Sequence, residues 1–577
     1  MEATITNDIL ESYICCKYKA YLKIMGLSGI KSDYENLRGK LRNEVKHNAL
    51  NKMCTQATKG QIIGDVALTA SILEKNPLFI LNTSIEGDHF SLVLDGIKNI
   101  KTNQQGLSYY APMLFYEGRQ IRKEQRLFLE LCATFLFKYQ AIIPAVGLIW
   151  HGKECKSTTV RLNTDSRKIE QIQLEFKKMC IDEEIPKLIL NYHCQICEFQ
   201  NHCYEQAHQE DNLSLIWGIS EKEIKAFNRK GILTVTQLAH TFRPRRKRKN
   251  AGKDSQQRYH ALQAMAIRDE KVYVLGTAQM PDSPVYIYID VESDPDRDFI
   301  YLIGLIIVEN DVEEHLSFWA DNQEQEAEIF EQFVTEVTRR EEFVIFCYGS
   351  YERTYIKKMR KTLPDQTSVD RILNALVNIL SIIYDHIYFP TYSNGLKYVG
   401  KYVGFSWTEP DASGIQSIVW RSHWESSHNA IWKQKLLTYN IEDCIALKIV
   451  AETIRGIITT TEPNKGADNQ DINLSVDFVE EIEKLSDYYT WRKLDFAHPD
   501  FEFINKRAYF DYQQERVYIR SSKTIRKAKA TKPPSPNRNL SASKKITIVA
   551  TQCPTCNSKN VINGIIKQVR TQGYRCI

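Results

Sequence analysis

The sequence predicts an α/β protein whose central part is a mixed sheet with flanking helices. Residues 286–308 consist of two apolar stretches, rich in β-branched side chains, that are joined through a polar turn, which is typical of two paired strands in the core of a sheet. Helix-type and strand-type patterns then alternate to about Thr453. The N-terminal part mixes both types as well. Its patterns predict helices at 11–25, 36–53 and 122–139 and a strand near 90–94.

Length and composition limit the classes of protein to be considered. A chain of 577 residues is too long for one core and suggests about three to five domains. The net charge is only +5, so contact with nucleic acid would have to rely on local basic clusters. The sequence lacks the ~18 consecutive apolar residues of a membrane span and begins without a signal-peptide pattern. We therefore expect a cytoplasmic protein without membrane contact.

A pair of carboxylates ends the first of the two central strands. Asp290 and Glu292 are two residues apart in YIYIDVESDPDRDFIYLIGLII, and residues i and i+2 of a strand share a face. Two carboxylates a few ångströms apart repel each other unless a divalent cation lies between them. The pattern predicts a site for Mg²⁺ or Mn²⁺, with two ions, of the kind that hydrolyses phosphodiester bonds.

Two further acidic positions follow along the chain. Glu352 opens a helix after the apolar strand in EFVIFCYGSYERTYIKKM. Tyr439 and Asp443 are four residues apart in LLTYNIEDCIALKIV, and residues i and i+4 of a helix share a face. We expect Asp290, Glu292, Glu352 and Asp443 to bind metal, and Tyr439 to orient or polarise the attacking water.

At these residues the chain resembles the DEDD exonucleases of the RNase H-like superfamily, in their tyrosine subclass, and especially the RNase H-like domains of bacterial RecB-like proteins. Asp-x-Glu matches the first motif, Tyr-x-x-x-Asp the third, and NGLKYVGKYVGF the family's Leu-Lys helix between them. The resemblance implies a 3′–5′ exonuclease acting on single strands or ends of DNA or RNA. The family's second motif supplies aspartate, whereas this chain has Glu352.

Two other functions remain open from the sequence. The chain is alternatively a non-catalytic nucleic-acid-binding component of a transposon or other mobile-element system. It is alternatively a DDE-like transposase, because that enzyme shares the RNase H-like fold. The Tyr439-x-x-x-Asp443 pattern favours the exonuclease over the transposase. No particular protein partner is predicted.

Cysteines near the end of the N-terminal part have the spacing of metal ligands. On its own, the pattern Cys194-x2-Cys197-x5-Cys203 is compatible with part of a zinc site. The segment YICCKYKAYL, however, resembles the opening helix of RecB-type nucleases and CRISPR-adaptation exonucleases, in which an N-terminal cysteine joins three later ones around a 4Fe–4S cluster. This resemblance implies Cys16 as the fourth ligand, with Cys15 as the alternative. Zinc and the absence of any metal remain alternatives.

The same family carries a histidine on its second helix, an aspartate after a strand, and a Glu-x-Lys strand. His47 and Asp95 match the first two, but Met113, Leu114 and Phe115 stand where the third is expected. The resemblance therefore implies a restriction-endonuclease-like PD-(D/E)XK-type domain that has lost its nuclease activity and retains nucleic-acid binding or a scaffolding role. His47 is alternatively a buried core histidine.

Three further segments suggest contacts with nucleic acid or metal. Residues 213–239 resemble the helix-hairpin-helix segments of RecB-like proteins, which bind phosphates through backbone N–H groups. A basic run follows that either neutralises phosphates or is a solvated linker, and it consists of Arg243, Arg245, Arg246, Lys247, Arg248 and Lys249. Near the C-terminus, CPTC and YRC resemble a transposase-type zinc ribbon that lacks its last ligand. Its ligands would be Cys553, Cys556 and Cys576, and so incomplete a set would bind Zn²⁺ weakly.

The domain order that follows from these patterns has five parts. It comprises a RecB-like domain at 1–208, a hairpin-like segment with a basic linker at 209–262, the RNase H-like exonuclease domain at 280–456, a helical extension at 457–520, and a linker with the incomplete zinc ribbon at 521–577.

Overall fold

The computed structural model describes most of the chain as far as residue 482. The described residues are 4–57, 61–87, 90–101, 108–163, 166–180, 184–242, 259–459 and 474–482. They divide into two compact units. The first unit draws on 4–217, 278–384 and 391–459, and the second on 218–277, 385–390 and 474–482. No helix in these ranges is long and apolar enough to cross a membrane.

Helices and strands alternate through the described residues, as predicted for an α/β protein. The helices are α1 (Asn7–Cys15), α2 (Lys17–Ile24), α3 (Asp33–Gln56), α4 (Ala70–Glu74), α5 (Lys123–Gln140), α6 (Ser166–Cys180), α7 (Gln200–Gln209), α8 (Glu221–Arg229), α9 (Val235–Ala239), α10 (His260–Asp269), α11 (Glu326–Thr338), α12 (Tyr351–Met359), α13 (Gln366–Ala375), α14 (Ile379–His386), α15 (Leu396–Tyr402), α16 (Gly414–Ser427), α17 (Ala430–Thr459) and α18 (Val479–Ile482). The strands are β1 (Ile62–Gly64), β2 (Phe79–Glu86), β3 (Ser91–Lys101), β4 (Ser108–Tyr116), β5 (Val146–His151), β6 (Lys156–Arg161), β7 (Val272–Val274), β8 (Val285–Asp294), β9 (Phe299–Glu309), β10 (Val312–Trp319), β11 (Val344–Cys347), β12 (Leu376–Asn378), β13 (Ile387–Tyr388) and β14 (Val476–Phe478).

The N-terminal part of the first unit is a six-stranded mixed sheet in the order β1 to β6. The pairs β1–β2 and β4–β5 are parallel, and the other pairs are antiparallel. Strand β4 is buried on both faces: Met113 and Phe115 pack in one core with α3, while Leu114 packs in another with α1, α5 and α6. This alternation gives a layer of helices on each side of the sheet.

The helix expected at 11–25 is interrupted at Cys16, and that prediction was wrong in this respect. Cys16 has extended backbone angles of φ −160° and ψ 116°, between α1 and α2. Its sulfur accepts a hydrogen bond from the backbone N–H of Lys19, 3.4 Å away, and so takes the place of an N-cap oxygen for α2. The break therefore places the Cys16 sulfur at the N-terminal end of α2.

The central part of the first unit is a five-stranded mixed sheet in the order β10-β9-β8-β11-β12. The antiparallel β8–β9 hairpin lies in its middle, and β11 and β12 extend it in parallel. Every residue of β9 from Phe299 to Ile307 is buried, as the apolar run at 286–308 predicted. The odd-numbered residues Ile287 and Ile289 of β8 join the hydrophobic core.

Helix α17 crosses this sheet and packs on β8 and β9. It approaches closely because the residue of β9 beneath it is Gly304, which pairs with Asp290 of β8. A Cβ atom on Gly304 would lie 2.0 Å from the side-chain oxygen Oδ1 of Asn440, a residue of α17. Glycine at this position therefore sets the distance between the helix and the sheet.

Replacing Gly304 with alanine should lower the free energy of unfolding by about 1–3 kcal/mol, because the added methyl group must displace α17. Thermal or urea unfolding of the purified variant would measure the change. The matched control is Gly456→Ala on the same helix, where nothing lies within 4 Å of an added Cβ. That variant should be as stable as the original protein or more stable by about 0.5–1 kcal/mol. Equal effects of the two substitutions would contradict this account of Gly304.

The described residues of the second unit hold two short helices joined through Gly231, as the sequence predicted. Gly231 has a φ of +81°, a conformation that glycine adopts without strain. Helix α8 begins with a capping box between Ser220 and Glu223. The unit also contains α10 and a small sheet in the order β13-β7-β14.

Candidate metal centre

Three carboxylates from two elements converge beside the β8–β9 hairpin. Asp290 and Glu292 extend from the same face of β8, and Asp443 reaches them from α17. Each offers an oxygen atom, and these atoms all lie within 4.8 Å of one another. Glu292 and Asp443 are buried, and Asp290 is partly exposed. The sequence predicted this grouping because the i, i+2 spacing fixes the first two carboxylates on one face.

A neutral donor holds each of the three carboxylates in place. The amide Nδ2 of Asn440 donates to Oδ2 of Asp290 at 2.7 Å. The hydroxyl of Ser417 donates to Oε2 of Glu292 at 2.6 Å. The indole N–H of Trp407 donates to Oδ1 of Asp443 at 2.7 Å. Such outer partners orient metal ligands without neutralising their charge.

Sequence reasoning did not identify these three donors. Asn440 directly follows Tyr439, so its position in the Tyr-x-x-x-Asp segment was a usable signal. Ser417 and Trp407 lie 125 and 36 residues from their partners and belong to no motif. Their roles depend on where α16 and the loop before it pack, which a single sequence does not specify.

Arg421 anchors α16, the helix that carries Ser417. Its side chain is 1% exposed, and its guanidinium donates to the backbone oxygens of Ala320 at 2.9 Å and Asp321 at 2.6 Å. The guanidinium carbon lies 4.5–5.3 Å from four aromatic ring centroids, those of Phe299, Tyr301, Trp319 and Trp424. Burial of a guanidinium with its donors paired and its faces stacked fixes α16, and with it the Ser417 hydroxyl.

The electrostatics of the three carboxylates are those of a site built for a cation. Removal from water raises the pKa of Asp290 well above its usual value, and the charges of Asp443, Glu292 and Glu352 raise it further. Burial raises the pKa of Glu292 to about 8 and that of Asp443 to about 6. Burial and mutual repulsion oppose the ionisation of all three carboxyl groups. A divalent ion between them would stabilise them as anions.

Glu352 lies near this group but outside the set within 4.8 Å. It is in the first turn of α12, as predicted, and its residue is 5% exposed. Its Oε2 atom is buried without a hydrogen-bond partner among the described residues, and burial raises its pKa to about 7. Its charge contributes to the raised pKa of Asp290. A buried, unpaired carboxylate oxygen beside three others fits a fourth metal ligand that a bound ion would engage.

Tyr439 combines a core position with a polar contact to the site. Its ring belongs to the hydrophobic core and meets the Trp420 ring edge-on, with centroids 6.2 Å apart. Burial raises the pKa of its hydroxyl well above the usual value, and the charge of Asp443 raises it further. The hydroxyl is therefore close to a candidate metal ligand, as expected for residues four apart on a helix.

Lys397 is a further charged group beside the carboxylates. It lies in α15, within the NGLKYVGKYVGF segment. Its ammonium nitrogen is buried, and among the described residues it has no hydrogen-bond partner. Its charge lowers the pKa values of Glu292 and Asp443. The resemblance pointed to this helix, but nothing in the sequence assigned Lys397 a role.

The structure gathers the N-terminal cysteines at one place in the first unit. Cys194, Cys197 and Cys203 are buried around the half-buried Cys16. Burial raises the pKa of Cys203 to about 12, and the charges of the other three cysteines raise it further. The backbone N–H of Asn191 donates to the Cys194 sulfur at 3.3 Å, as that of Lys19 does to Cys16. All four are free thiols in a shared environment.

The alternative ligand Cys15 lies in a different environment. Burial raises its pKa to about 11, and the charges that act on it are those of Lys19, Glu124, Glu11 and Arg38. None of these is a cysteine, whereas Cys16 acts on the pKa values of Cys194, Cys197 and Cys203. The geometry thus favours Cys16 over Cys15 as the companion of the later three.

An arginine lies beside Asp95, the residue predicted from the sequence to be a relic of a nuclease site. Arg42 in α3 donates to Oδ2 of Asp95 and to Oε1 of Glu11, each at 3.2 Å, and its guanidinium lies over the Tyr116 ring. A fixed cation paired with Asp95 competes with a metal ion for the same carboxylate. His47 is exposed on α3, so the alternative that it is a buried core histidine was wrong.

Asp95→Asn should leave nucleic-acid cleavage by the full chain unchanged within about twofold, because Asp95 already neutralises Arg42 and belongs to no carboxylate cluster. Initial rates on an end-labelled strand would measure this against Asp290→Asn. Loss of cleavage in the Asp95 variant with retained cleavage in the Asp290 variant would reverse the assignment of the two sites.

Several predicted residues lie outside the described part of the chain. These are the basic run Arg243, Arg245, Arg246, Lys247, Arg248 and Lys249 and the zinc-ribbon cysteines Cys553, Cys556 and Cys576. The predicted helical extension at 457–520 is described only at 457–459 and 474–482, and the linker at 521–577 is not described.

Comparison with known families agrees with the geometry of the central sheet. Residues 287–455 match the RNase_H_2 family of the RNase_H superfamily. The matched range contains all three converging carboxylates, and it ends within α17. The domain is therefore RNase H-like, and domains of this superfamily act on nucleic acids. No curated protein matches the chain.

Proposed function

We propose that the chain is a divalent-metal-dependent nuclease, and specifically a 3′–5′ exonuclease of the tyrosine-type DEDD class. The observation that carries the proposal is the convergence of Asp290, Glu292 and Asp443 within 4.8 Å, in a buried site on an RNase H-like sheet. Hydroxyl, amide and indole donors fix these carboxylates. Two Mg²⁺ or Mn²⁺ ions bound there would polarise the phosphodiester and supply hydroxide.

In this proposal each residue has a defined task. Asp290, Glu292 and Asp443 bind the ions, and Glu352 joins them through its unpaired Oε2. The longer side chain of glutamate reaches the site from a more distant backbone position than aspartate would. Tyr439 holds the attacking water through its hydroxyl, which lies close enough to Asp443 for that charge to raise its pKa.

The decisive experiment uses the full chain on single strands of DNA and of RNA. A 5′-labelled strand should be shortened progressively from its 3′ end in Mg²⁺ or Mn²⁺ and remain intact in EDTA. A 3′-terminal phosphorothioate should slow the reaction, and a circular single strand should resist it. Cutting of the circle would contradict the exonuclease assignment and leave an endonuclease. Binding without any cleavage would favour the non-catalytic mobile-element component.

We further propose that Cys16, Cys194, Cys197 and Cys203 hold a 4Fe–4S cluster that clamps the two ends of the N-terminal part together. A zinc ion bound by four thiolates would hold the sulfur atoms ~3.8 Å apart. Among the described residues only the carboxylate group has three ligand atoms within 4.8 Å of one another, so no three of the four sulfur atoms are all that close together. The shared environment of the four thiols and the N–H donors to sulfur support an iron–sulfur cluster, which thiolate ligands favour.

Cys16→Ser should abolish iron and acid-labile sulfide in anaerobically purified protein, whereas the adjacent Cys15→Ser should keep both. The reason is that only Cys16 shares the environment of the other three cysteines. Iron and zinc analysis with visible absorption spectra would measure the outcome. If the original protein contained zinc and only Cys16→Ser lost it, the four cysteines would be assigned to a zinc site and not to an iron–sulfur cluster. Equal iron in both variants would remove Cys16 as a ligand.

A further inference from the structure

The ammonium of Lys397 is an unusual charged group within the described part of the first unit. Its Nζ atom is buried and has no hydrogen-bond partner among the described residues. The Nζ atom lies 4.9 Å from the ring centroid of Tyr439 and 5.2 Å from that of Trp407. Two aromatic faces stabilise a cation, but neither face is a conventional acceptor for the three N–H donors of the ammonium. A buried donor without an acceptor is costly, so a site of this kind implies an absent acceptor.

The surroundings of Lys397 identify where that acceptor would lie. Both rings that flank the ammonium also adjoin Asp443: the Trp407 indole N–H donates to its Oδ1 at 2.7 Å, and the Asp443 charge raises the pKa of the Tyr439 hydroxyl. The ammonium is close enough to Asp443 and Glu292 to lower their pKa values. The unpaired donors therefore face the same space as the candidate metal ligands.

The charge balance of the site indicates what the acceptor is. Two divalent ions would neutralise the four carboxylates of the proposed function, and the Lys397 charge would then remain unbalanced. A phosphodiester brings one negative charge and gains another as the attacking oxygen adds to phosphorus. A preorganised cation at that point stabilises charge that develops during the reaction.

On this basis, and resting on the proposed function, we infer that Lys397 is a substrate-contacting residue whose ammonium donates to a non-bridging oxygen of the scissile phosphodiester. The substrate it selects is thus an anionic phosphodiester linkage. The rival role is structural: Lys397 would only offset the repulsion of the carboxylates and would touch no substrate.

The test pairs a protein change with a substrate change. Lys397→Met removes the charge with little change of shape, and a methylphosphonate at the 3′-terminal linkage removes the charge from the phosphorus centre. Affinities would be measured with Ca²⁺ in place of Mg²⁺, for the phosphodiester strand and for the methylphosphonate strand. The control Lys401→Met removes an exposed lysine from the same helix α15.

The expected result is a loss of discrimination. Lys397→Met should reduce the preference for the phosphodiester over the methylphosphonate by roughly 10- to 100-fold, because a charge-assisted hydrogen bond is removed. Lys401→Met should keep the full preference, and Lys397→Arg, which keeps the charge, should keep part of it. Equal preference in Lys397→Met and the original protein would overturn the inference in favour of the structural role.

Two readouts separate this inference from its premise. Melting curves show whether each variant is folded, and if Lys397→Met is not, Lys397→Gln and Lys397→Arg take its place in the comparison. Cleavage by the original protein in Mg²⁺, absent in Asp290→Asn, establishes the nuclease independently of Lys397. If the original protein neither cleaved a strand nor distinguished the phosphodiester strand from the methylphosphonate strand, both the proposed function and this inference would be overturned.

Discussion

Asp290→Asn should reduce strand cleavage by roughly 10³-fold or more, and in metal-free buffer it should raise the melting temperature of the protein. The first effect follows because the substitution removes a metal ligand at the centre of the three carboxylates. The second follows because Asp290 is the carboxylate on which the charges of Asp443, Glu292 and Glu352 all act. An amide of the same shape removes that repulsion and keeps the neighbouring side chains packed.

The stability effect has a defined pH dependence. The pKa of Glu292 is raised to about 8 and that of Asp443 to about 6, so the folded metal-free protein holds protons that the unfolded chain releases. Stability should therefore fall as pH rises from about 5 to about 8 in EDTA. Mg²⁺ should flatten this dependence, and so should Asp290→Asn. Melting curves across this range, with and without Mg²⁺, measure both effects.

The matched control for this prediction is Asp311→Asn. Asp311 is exposed in the turn between β9 and β10, with a φ of +62°, a conformation that asparagine also tolerates. The Asp311→Asn variant should cleave at the original rate, and its melting temperature should equal that of the original protein at every pH. Loss of cleavage in both variants, or destabilisation by Asp290→Asn in EDTA, would contradict a carboxylate metal centre at Asp290.

Tyr439→Phe should reduce the rate of cleavage by about 10²–10⁴-fold while lowering stability by only about 1 kcal/mol. The substitution keeps the ring that packs against Trp420 and deletes the hydroxyl that lies close to Asp443. Single-turnover rates with saturating enzyme would measure the chemical step, and urea unfolding would measure stability. The two readouts separate a water-orienting hydroxyl from a core tyrosine.

Tyr355→Phe is a suitable control because it removes another buried tyrosine hydroxyl from the same domain. Tyr355 is 5% exposed, and its hydroxyl has no hydrogen-bond partner among the described residues. This variant should keep full activity and be at least as stable as the original protein. Full activity in Tyr439→Phe as well would assign Tyr439 to the core and weaken the tyrosine-subclass assignment, but it would leave the carboxylate site intact.

The parts of the fold that follow short-range rules were predictable from the sequence. The paired core strands at 286–308 and the shared face of Asp290 and Glu292 follow from apolar runs and the two-residue strand period, and both are present. The break at Cys16 was not predictable in this way, because the pattern across α1 and α2 is continuous and only the extended backbone of one residue divides it.

The supporting residues of the site were predictable only in part. Asn440 lies in the Tyr-x-x-x-Asp segment and Lys397 in the NGLKYVGKYVGF helix, so both belong to predicted motifs. Their partners, however, are set by tertiary packing. Ser417 reaches Glu292 from α16, a helix whose Arg421 packs among four aromatic rings. Such contacts join residues more than one hundred positions apart, and no local period encodes them.

The close approach at Gly304 has a consequence for how sequences of this domain can vary. Any side chain at position 304 would occupy the space of the Asn440 amide, since even a Cβ atom would lie 2.0 Å from Oδ1. A smaller residue at 440 would relieve the clash but would leave Asp290 without its amide donor. Positions 290, 304 and 440 should therefore change together or not at all among homologous chains. Catalytic relatives should keep the Asp–Gly–Asn trio, and chains that lose the aspartate should be free to vary at the other two positions.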